Sequence, residues 1–183
     1  MDKFCNQFTR SNLRKMFPWV ENIRAGVLLI YQGRVLLVKE RYSGNIGPPK
    51  GLAEWSVDAT AFDTATRELL EETRLNLKNK SIGVCRNVYM YPRKYCKELM
   101  IYFAVFINFK PRLHINTDEI SGYLWADLSK GLYGKYKYSE ASTVLFRAVD
   151  NSMLHNCNNI LYSAPRKCTE HQAVMRKDCT NRH

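Results

Sequence analysis

No apolar run in the 183 residues approaches the roughly 20 needed to cross a bilayer. The first residues, Met1-Asp2-Lys3-Phe4-Cys5-Asn6-Gln7, hold no apolar core of a signal peptide, so no membrane association is expected and the expected compartment is cytoplasmic. The six cysteines (5, 85, 96, 157, 168 and 179) form no dense framework and are expected as free thiols. There is no internal repeat and no low-complexity block. Acidic residues are the scarce class, 17 Asp and Glu against 28 Lys and Arg, for a net charge of +11. What remains is the composition of a folded domain, 45% hydrophobic and 25% charged, which excludes wholesale disorder.

The few acids are concentrated. Residues 51–75 carry Glu54, Asp58, Asp63, Glu68, Glu71 and Glu72 against Arg67 and Arg74, a net −4 that leaves +15 on the rest of the chain. A basic body favours polyanionic partners. A bare nucleic-acid binder has no need for a compact acidic island, so the island is where chemistry is expected.

The pattern predicts an α+β domain over residues 22–154, preceded by a basic and aromatic leader (1–21) and followed by a polar, basic tail (155–183). Ala25–Lys39 reads as two strands around a Gln32-Gly33 turn, and 44–51 as a glycine- and proline-bearing loop. Apolar residues at helical spacing predict a helix over 58–75 and a second over 139–154. Strands are expected at 82–91, 98–109 and 120–126, with a basic turn over 92–97.

Within the first helix, Glu68, Glu71 and Glu72 stand at i, i+3 and i+4 and share one face. No basic residue is expected on that face to relieve their repulsion. Hard divalent cations among the oxygens would relieve it, and Mg²⁺ or Mn²⁺ suits all-oxygen ligation and bridges to phosphates. A solvated acidic face is the plainer alternative. Gly47-Pro48-Pro49-Lys50-Gly51, directly upstream, tips the reading towards a site.

Gly51 followed by Arg67-Glu68-Leu69-x-Glu71-Glu72-x-x-Leu75 resembles the Nudix box, G-x5-E-x7-R-E-U-x-E-E-x-G-U. The resemblance implies an α/β/α sandwich with a mixed sheet, the box forming loop–helix–loop. It also implies hydrolysis of a nucleoside diphosphate linked to another group, by water attack on phosphorus with Mg²⁺ or Mn²⁺. By the same resemblance Glu68, Glu71 and Glu72 bind metal, and Arg67 pairs with a carboxylate and holds the loop. Two departures stand out. Gly51 and Arg67 are 16 positions apart instead of 14, leaving Asp58 first and Glu54 second as stand-ins for the upstream glutamate. Arg74 occupies the closing glycine position, where a left-handed cap is usual.

Asp118-Glu119-Ile120, six residues before Trp125, is similar to a segment of messenger-RNA decapping enzymes. That likeness makes Glu119 a fourth carboxylate, as metal ligand or general base alongside Glu72, while Trp125 is expected in the core. Pro49-Lys50-Gly51 resembles decapping, diadenosine tetraphosphate and diphosphoinositol polyphosphate hydrolases, which makes Lys50 and Gly51 substrate-binding candidates. The leading expectation is removal of the 5′ cap from mRNA; the alternatives are hydrolysis of dinucleoside or diphosphoinositol polyphosphates, or a non-catalytic RNA-binding module. Basic residues interleaved with aromatics suit capped RNA at Tyr91-Pro92-Arg93-Lys94-Tyr95, where Arg93 and Lys94 are the contacts, and at Lys135-Tyr136-Lys137-Tyr138. The intervals among His155, Cys157, Cys168, His171, Cys179 and His183 fit no familiar zinc finger, so free side chains are expected there.

Overall fold

A computed structural model describes residues 5–77, 84–130, 137–139, 142–143 and 160–162. Ten apolar-rich residues, Asn22–Tyr31, form β1 and return through a tight turn into β2, Arg34–Glu40. Gln32 and Gly33 both have positive φ (47° and 73°), the twist a two-residue hairpin loop requires. The expected loop over 44–51 holds two very short strands, β3 (Ile46–Gly47) and β4 (Lys50–Leu52), on either side of Pro48-Pro49. Next come α2 (Ala61–Thr73), β5 (Val84–Arg93), β6 (Glu98–Ile107) and β7 (Ile120–Asp127).

With β8 (Ile160–Tyr162), these strands form a mixed sheet of eight described strands in the order β3-β2-β1-β6-β5-β8, with β4 paired to β1 and β7 to β2. The spine is β1 beside β6, parallel from Asn22–Glu98 to Tyr31–Ile107. Alternation divides the sheet into two buried faces. Val27 and Leu29 of β1 share one face with Ile101 and Phe103 of β6, and α2 lays Phe62, Ala65 and Leu69 on it. Phe62 meets Phe103 edge to face at 5.0 Å. The opposite face gathers Leu28, Ile30, Tyr89, Tyr102 and Ala104.

The segment expected as a leader contributes to this packing. Thr9 caps a short helix, α1 (Arg10–Met16), by accepting the Asn12 N–H. Phe8 and Leu13 are buried in the α2-side core, and Phe8 meets Phe103 at 5.5 Å. Within the segment expected as a polar tail, Ile160–Tyr162 forms β8, parallel to β5. Of the helix expected over 139–154, Ser142 and Thr143 are described and helical; the rest, like residues 131–136 and the other tail residues, lies outside the described residues. Among the described residues no helix is long and apolar enough to cross a membrane.

Candidate active site

α2 starts at Ala61, not Asp58, because Thr60 closes a capping box with Asp63: the Asp63 N–H donates to Thr60 Oγ1 at 3.2 Å, and the Thr60 N–H to Asp63 Oδ2 at 2.9 Å. Asp58 is thereby left outside the helix and folds back under it. Its Oδ2 accepts the Glu54 N–H at 3.0 Å and the Thr64 hydroxyl at 2.9 Å. The two residues extra to the motif are accommodated in this turn, where the Asp58 and Val57 N–H groups both donate to the Glu54 carbonyl.

Arg67 is the hub of the box. Its Nε and Nη2 donate to the two Asp58 oxygens at 3.2 and 3.0 Å, and Nη2 also donates to the Leu52 carbonyl at 3.0 Å. Glu54 lies further off, at 3.8 Å. Burial and two guanidinium hydrogen bonds oppose each other at Asp58, and the hydrogen bonds hold its carboxyl below the usual range. Arg67 also corrects one expectation. Its Nη1 curls back along the helix to Glu68 Oε1 at 2.9 Å and Glu71 Oε2 at 3.1 Å, so the acidic face does have a basic neighbour. An i,i+4 pair is within reach of a long guanidinium side chain, which a projection of Cβ positions alone does not show.

The three box glutamates differ in surroundings. Glu71 is half exposed at the rim, Glu68 is largely covered, and Glu72 is buried. Glu68 lies flat on Gly51: a Cβ at that glycine would stand 2.0 Å from Glu68 Cδ. Register places Gly51 there, opposite Ala25 of β1. Glu72 lies by the Lys50 backbone, while its Oε2 is buried with no partner among the described residues. Burial, reinforced by the charges of Glu68 and Glu119, outweighs Lys50 and pushes the Glu72 carboxyl up to about 8. Burial likewise raises Glu68, with Glu71 and Glu119 adding to it.

Glu119 thus stands near both inner glutamates, on an exposed loop before β7. The loop is fastened on two sides. The Asn116 and His114 N–H groups donate to the carbonyls of Glu72 and Thr73, at 2.9 and 3.0 Å. Arg41, at the end of β2, donates from Nε to the Thr117 carbonyl at 2.6 Å and from its backbone to the Glu119 carbonyl at 2.7 Å. Spacing gave no sign of Arg41 or Asn116 in this role, because their partners are backbone groups far away in the chain.

The expected substrate contacts fall differently. Lys50 Nζ donates to Glu40 Oε1 at 2.7 Å, and burial notwithstanding, Lys50 and Ser43 hold Glu40 below its ordinary value. Arg93 donates to buried Glu98 at 2.6 Å, and Arg24 grips the other Glu98 oxygen at 2.7 Å. Lys94 lies in the 3-10 turn Lys94–Cys96. Tyr95 is 95% exposed, but Tyr91, expected on the same surface, is a buried β5 residue on the face opposite α2. Of the other expected patch, Lys137 is exposed, and Tyr138 is half-buried against the same face. Trp125 packs on the core, edge to face with Tyr31 at 6.2 Å.

The donor set fits a hard cation. All candidate ligands are carboxylate oxygens, and the buried Glu72 Oε2, unpartnered among the described residues, is an atom that demands a proton or a metal. As the side chains stand, no three acidic, His or Cys groups among the described residues form a group that could hold an ion, and Arg67 occupies one oxygen each of Glu68 and Glu71. Their other oxygens lie outside that contact.

Solved structures share the fold at low identity. A NUDIX hydrolase from Nitrosomonas europaea superposes with a TM-score of 0.61 at 15% identity, covering 80% of each chain. An Ap4A hydrolase from C. elegans, solved as a binary complex, gives 0.56 at 16% over 72% of this chain and 98% of its own. The NUDIX domain of Shewanella oneidensis NrtR, complexed with ADP ribose, gives 0.56 at 15% over 72% and 87%. No curated protein matches the sequence at a significant level. The NUDIX domain family model matches residues 21–145, which include α2, Gly51, Arg67, the three box glutamates and Glu119. The chain belongs to the NUDIX domain family.

Proposed function

We propose that this chain is a divalent-metal-dependent pyrophosphohydrolase that opens a nucleoside diphosphate linkage by water attack on phosphorus, and that its substrate is 5′-capped RNA. The observation that carries the reaction is Glu72: a buried carboxylate beside Lys50, Glu68 and Glu119, its Oε2 unpartnered among the described residues. Glu68, Glu71, Glu72 and Glu119 would hold Mg²⁺ or Mn²⁺, which when bound neutralises phosphate charge and acidifies a water.

The protein's own groups supply position and proton transfer. Gly51 leaves room for Glu68 to lie against the loop, and Arg67 ties that loop to Asp58 and to the helix. Glu119, exposed at the mouth, receives the proton of the attacking water. A new P–O bond forms to the water oxygen, the anhydride P–O bond breaks, and both products leave as phosphate esters.

Capped RNA is favoured by the +15 outside the acidic stretch, which suits a long polyanion. A second reading, hydrolysis of small dinucleoside or ADP-ribose-like polyphosphates, draws support from the solved structures that share the fold. Incubation of the full chain with cap-labelled RNA, diadenosine tetraphosphate, ADP-ribose and a diphosphoinositol polyphosphate, each with Mg²⁺ or Mn²⁺, separates these readings. Release of labelled cap nucleotide faster than turnover of the small substrates is the expected result. Turnover of the small substrates alone would refute capped RNA, and no turnover of any would refute the hydrolase.

A further inference from the structure

The hydrolytic site does not use α1, yet α1 faces the same loop. A cleft of about 160 Å³ is lined from α1 by Arg10 and Arg14, from the loop by Leu52, Ala53 and Trp55, and also by Val20, Glu21, Asn22 and Ile23. Two shallower depressions extend it. One continues past Arg10 and Arg14 to Lys15; the other begins at Glu21 and runs by Trp19 to Lys97. Sharing Arg10, Arg14 and Glu21, the three adjoin as a groove lined by four cationic side chains and two indole rings. Its acid, Glu21, is ion-paired with Lys97, and α1 itself carries no acid.

Both α1 and the loop are fixed in place. Leu13 anchors α1 in the core, and the Ala61 N–H donates to the Phe8 carbonyl at 2.9 Å. In the loop the Leu52 carbonyl accepts from Arg67, and the Ala53 N–H donates to the Ile23 carbonyl at 2.9 Å. Leu52 nevertheless leaves 44% of its surface exposed at the mouth. Exposed guanidinium groups on an anchored helix, beside a partly open indole and an apolar rim, form a surface for phosphates and bases. Arg10 and Arg14 are one helical step of four residues apart, about 6 Å along the axis.

We propose that this groove binds single-stranded nucleic acid, with Arg10 and Arg14 on neighbouring phosphates and a base against Trp55. Leu52, which lines the cleft, is the chain neighbour of Gly51, which lies against Glu68. A strand in the groove would extend a 5′ end held at the glutamates. That continuity rests on the capped-RNA reading; the binding itself does not.

The test is titration of fluorescent, uncapped 12-nucleotide RNA and DNA strands with the full chain over a range of salt. Arg10→Ser with Arg14→Ser is compared with Arg34→Ser with Lys39→Ser, an equal loss of charge at exposed positions elsewhere. The groove variant is expected to bind at least tenfold more weakly, with its log–log salt slope shallower by about 1.4, the contribution of two single-strand phosphate contacts. The control variant binds as the parent does. Both variants melt as the parent does and turn over diadenosine tetraphosphate at its rate. RNA bound more tightly than DNA identifies RNA as the natural strand, and the reverse identifies DNA. A parent chain that binds neither strand, or groove and control variants that weaken alike, would overturn the proposal. Loss of binding in the groove variant while the parent fails to hydrolyse capped RNA would refute the decapping reading and leave the groove standing.

Discussion

Gly51 and Glu68 are packed so closely that any side chain at the glycine would occupy the place of the carboxylate, with a Cβ 2.0 Å from Cδ and 2.1 Å from Oε1. The contact couples the loop to the helix: β4 sets the height of Gly51 against β1, and Gly51 sets where Glu68 can lie.

Gly51→Ala is therefore expected to displace Glu68. The clash is with the far end of a flexible side chain, so little stability is lost, while misplacement of a reacting group by about 1 Å costs on the order of a hundredfold in rate. Thermal melting and steady-state hydrolysis check the two effects. Parent-like turnover would mean that Glu68 is not held where the reaction occurs.

Arg67→Lys removes the fork that spans Asp58, the Leu52 carbonyl and two glutamates. A lysine reaches one of these at a time, so a loss of about 2 kcal/mol is expected, in line with orphaned polar partners. Asp58 adds a pH signature. Its carboxyl is held below the ordinary 3.8, so the pair's contribution is complete above that value and is lost as pH falls through the lower, folded one. Acid denaturation of the parent and of Asp58→Asn should differ in steepness only in that range.

Glu72 gives the opposite sign. It loses its proton at about 8 in the fold against an ordinary 4.5 when unfolded, so between these values the folded chain binds the extra proton. The Glu72 contribution to the stability of the metal-free protein is thus greatest below about 4.5 and falls as pH rises towards about 8. Glu72→Gln is expected to flatten that fall. Mg²⁺ is expected to raise the melting temperature of the parent more at pH 8 than at pH 6, because fewer protons must be displaced.

Arg74 closes α2 in the left-handed region, φ 58° and ψ 17°. A side chain there costs about 1–2 kcal/mol. Arg74→Gly is expected to recover about 1 kcal/mol, a rise of about 2–4 °C in melting temperature, without change in hydrolysis. A lower melting temperature would show that the Arg74 side chain holds the cap.

Features decided by neighbouring residues could be read in advance: the Gln32-Gly33 hairpin and the apolar stripe of α2. Features decided by distant backbone could not. β3 and β4 are two- and three-residue strands that exist because β2 and β1 lie beside them. α1 buries one apolar residue of its own, Leu13, which is too little periodicity to announce a helix. In the site, the clustering of Glu68, Glu71 and Glu72 followed from helical spacing. The burial of Glu72, the return of Arg67 to the acidic face and the fastening of Glu119 by Arg41 and Asn116 depend on tertiary packing.

The central claim is that buried Glu72 belongs to a metal-assisted site that breaks a phosphoanhydride. Its most direct test is hydrolysis of cap-labelled RNA in ¹⁸O-water, with Mg²⁺ or Mn²⁺, by the parent and by Glu72→Gln. The account predicts one ¹⁸O on a phosphate product of the parent, no turnover without the cation, and a loss of at least about a hundredfold in the variant. A variant as fast as the parent, or hydrolysis indifferent to chelation of the cation, would contradict it.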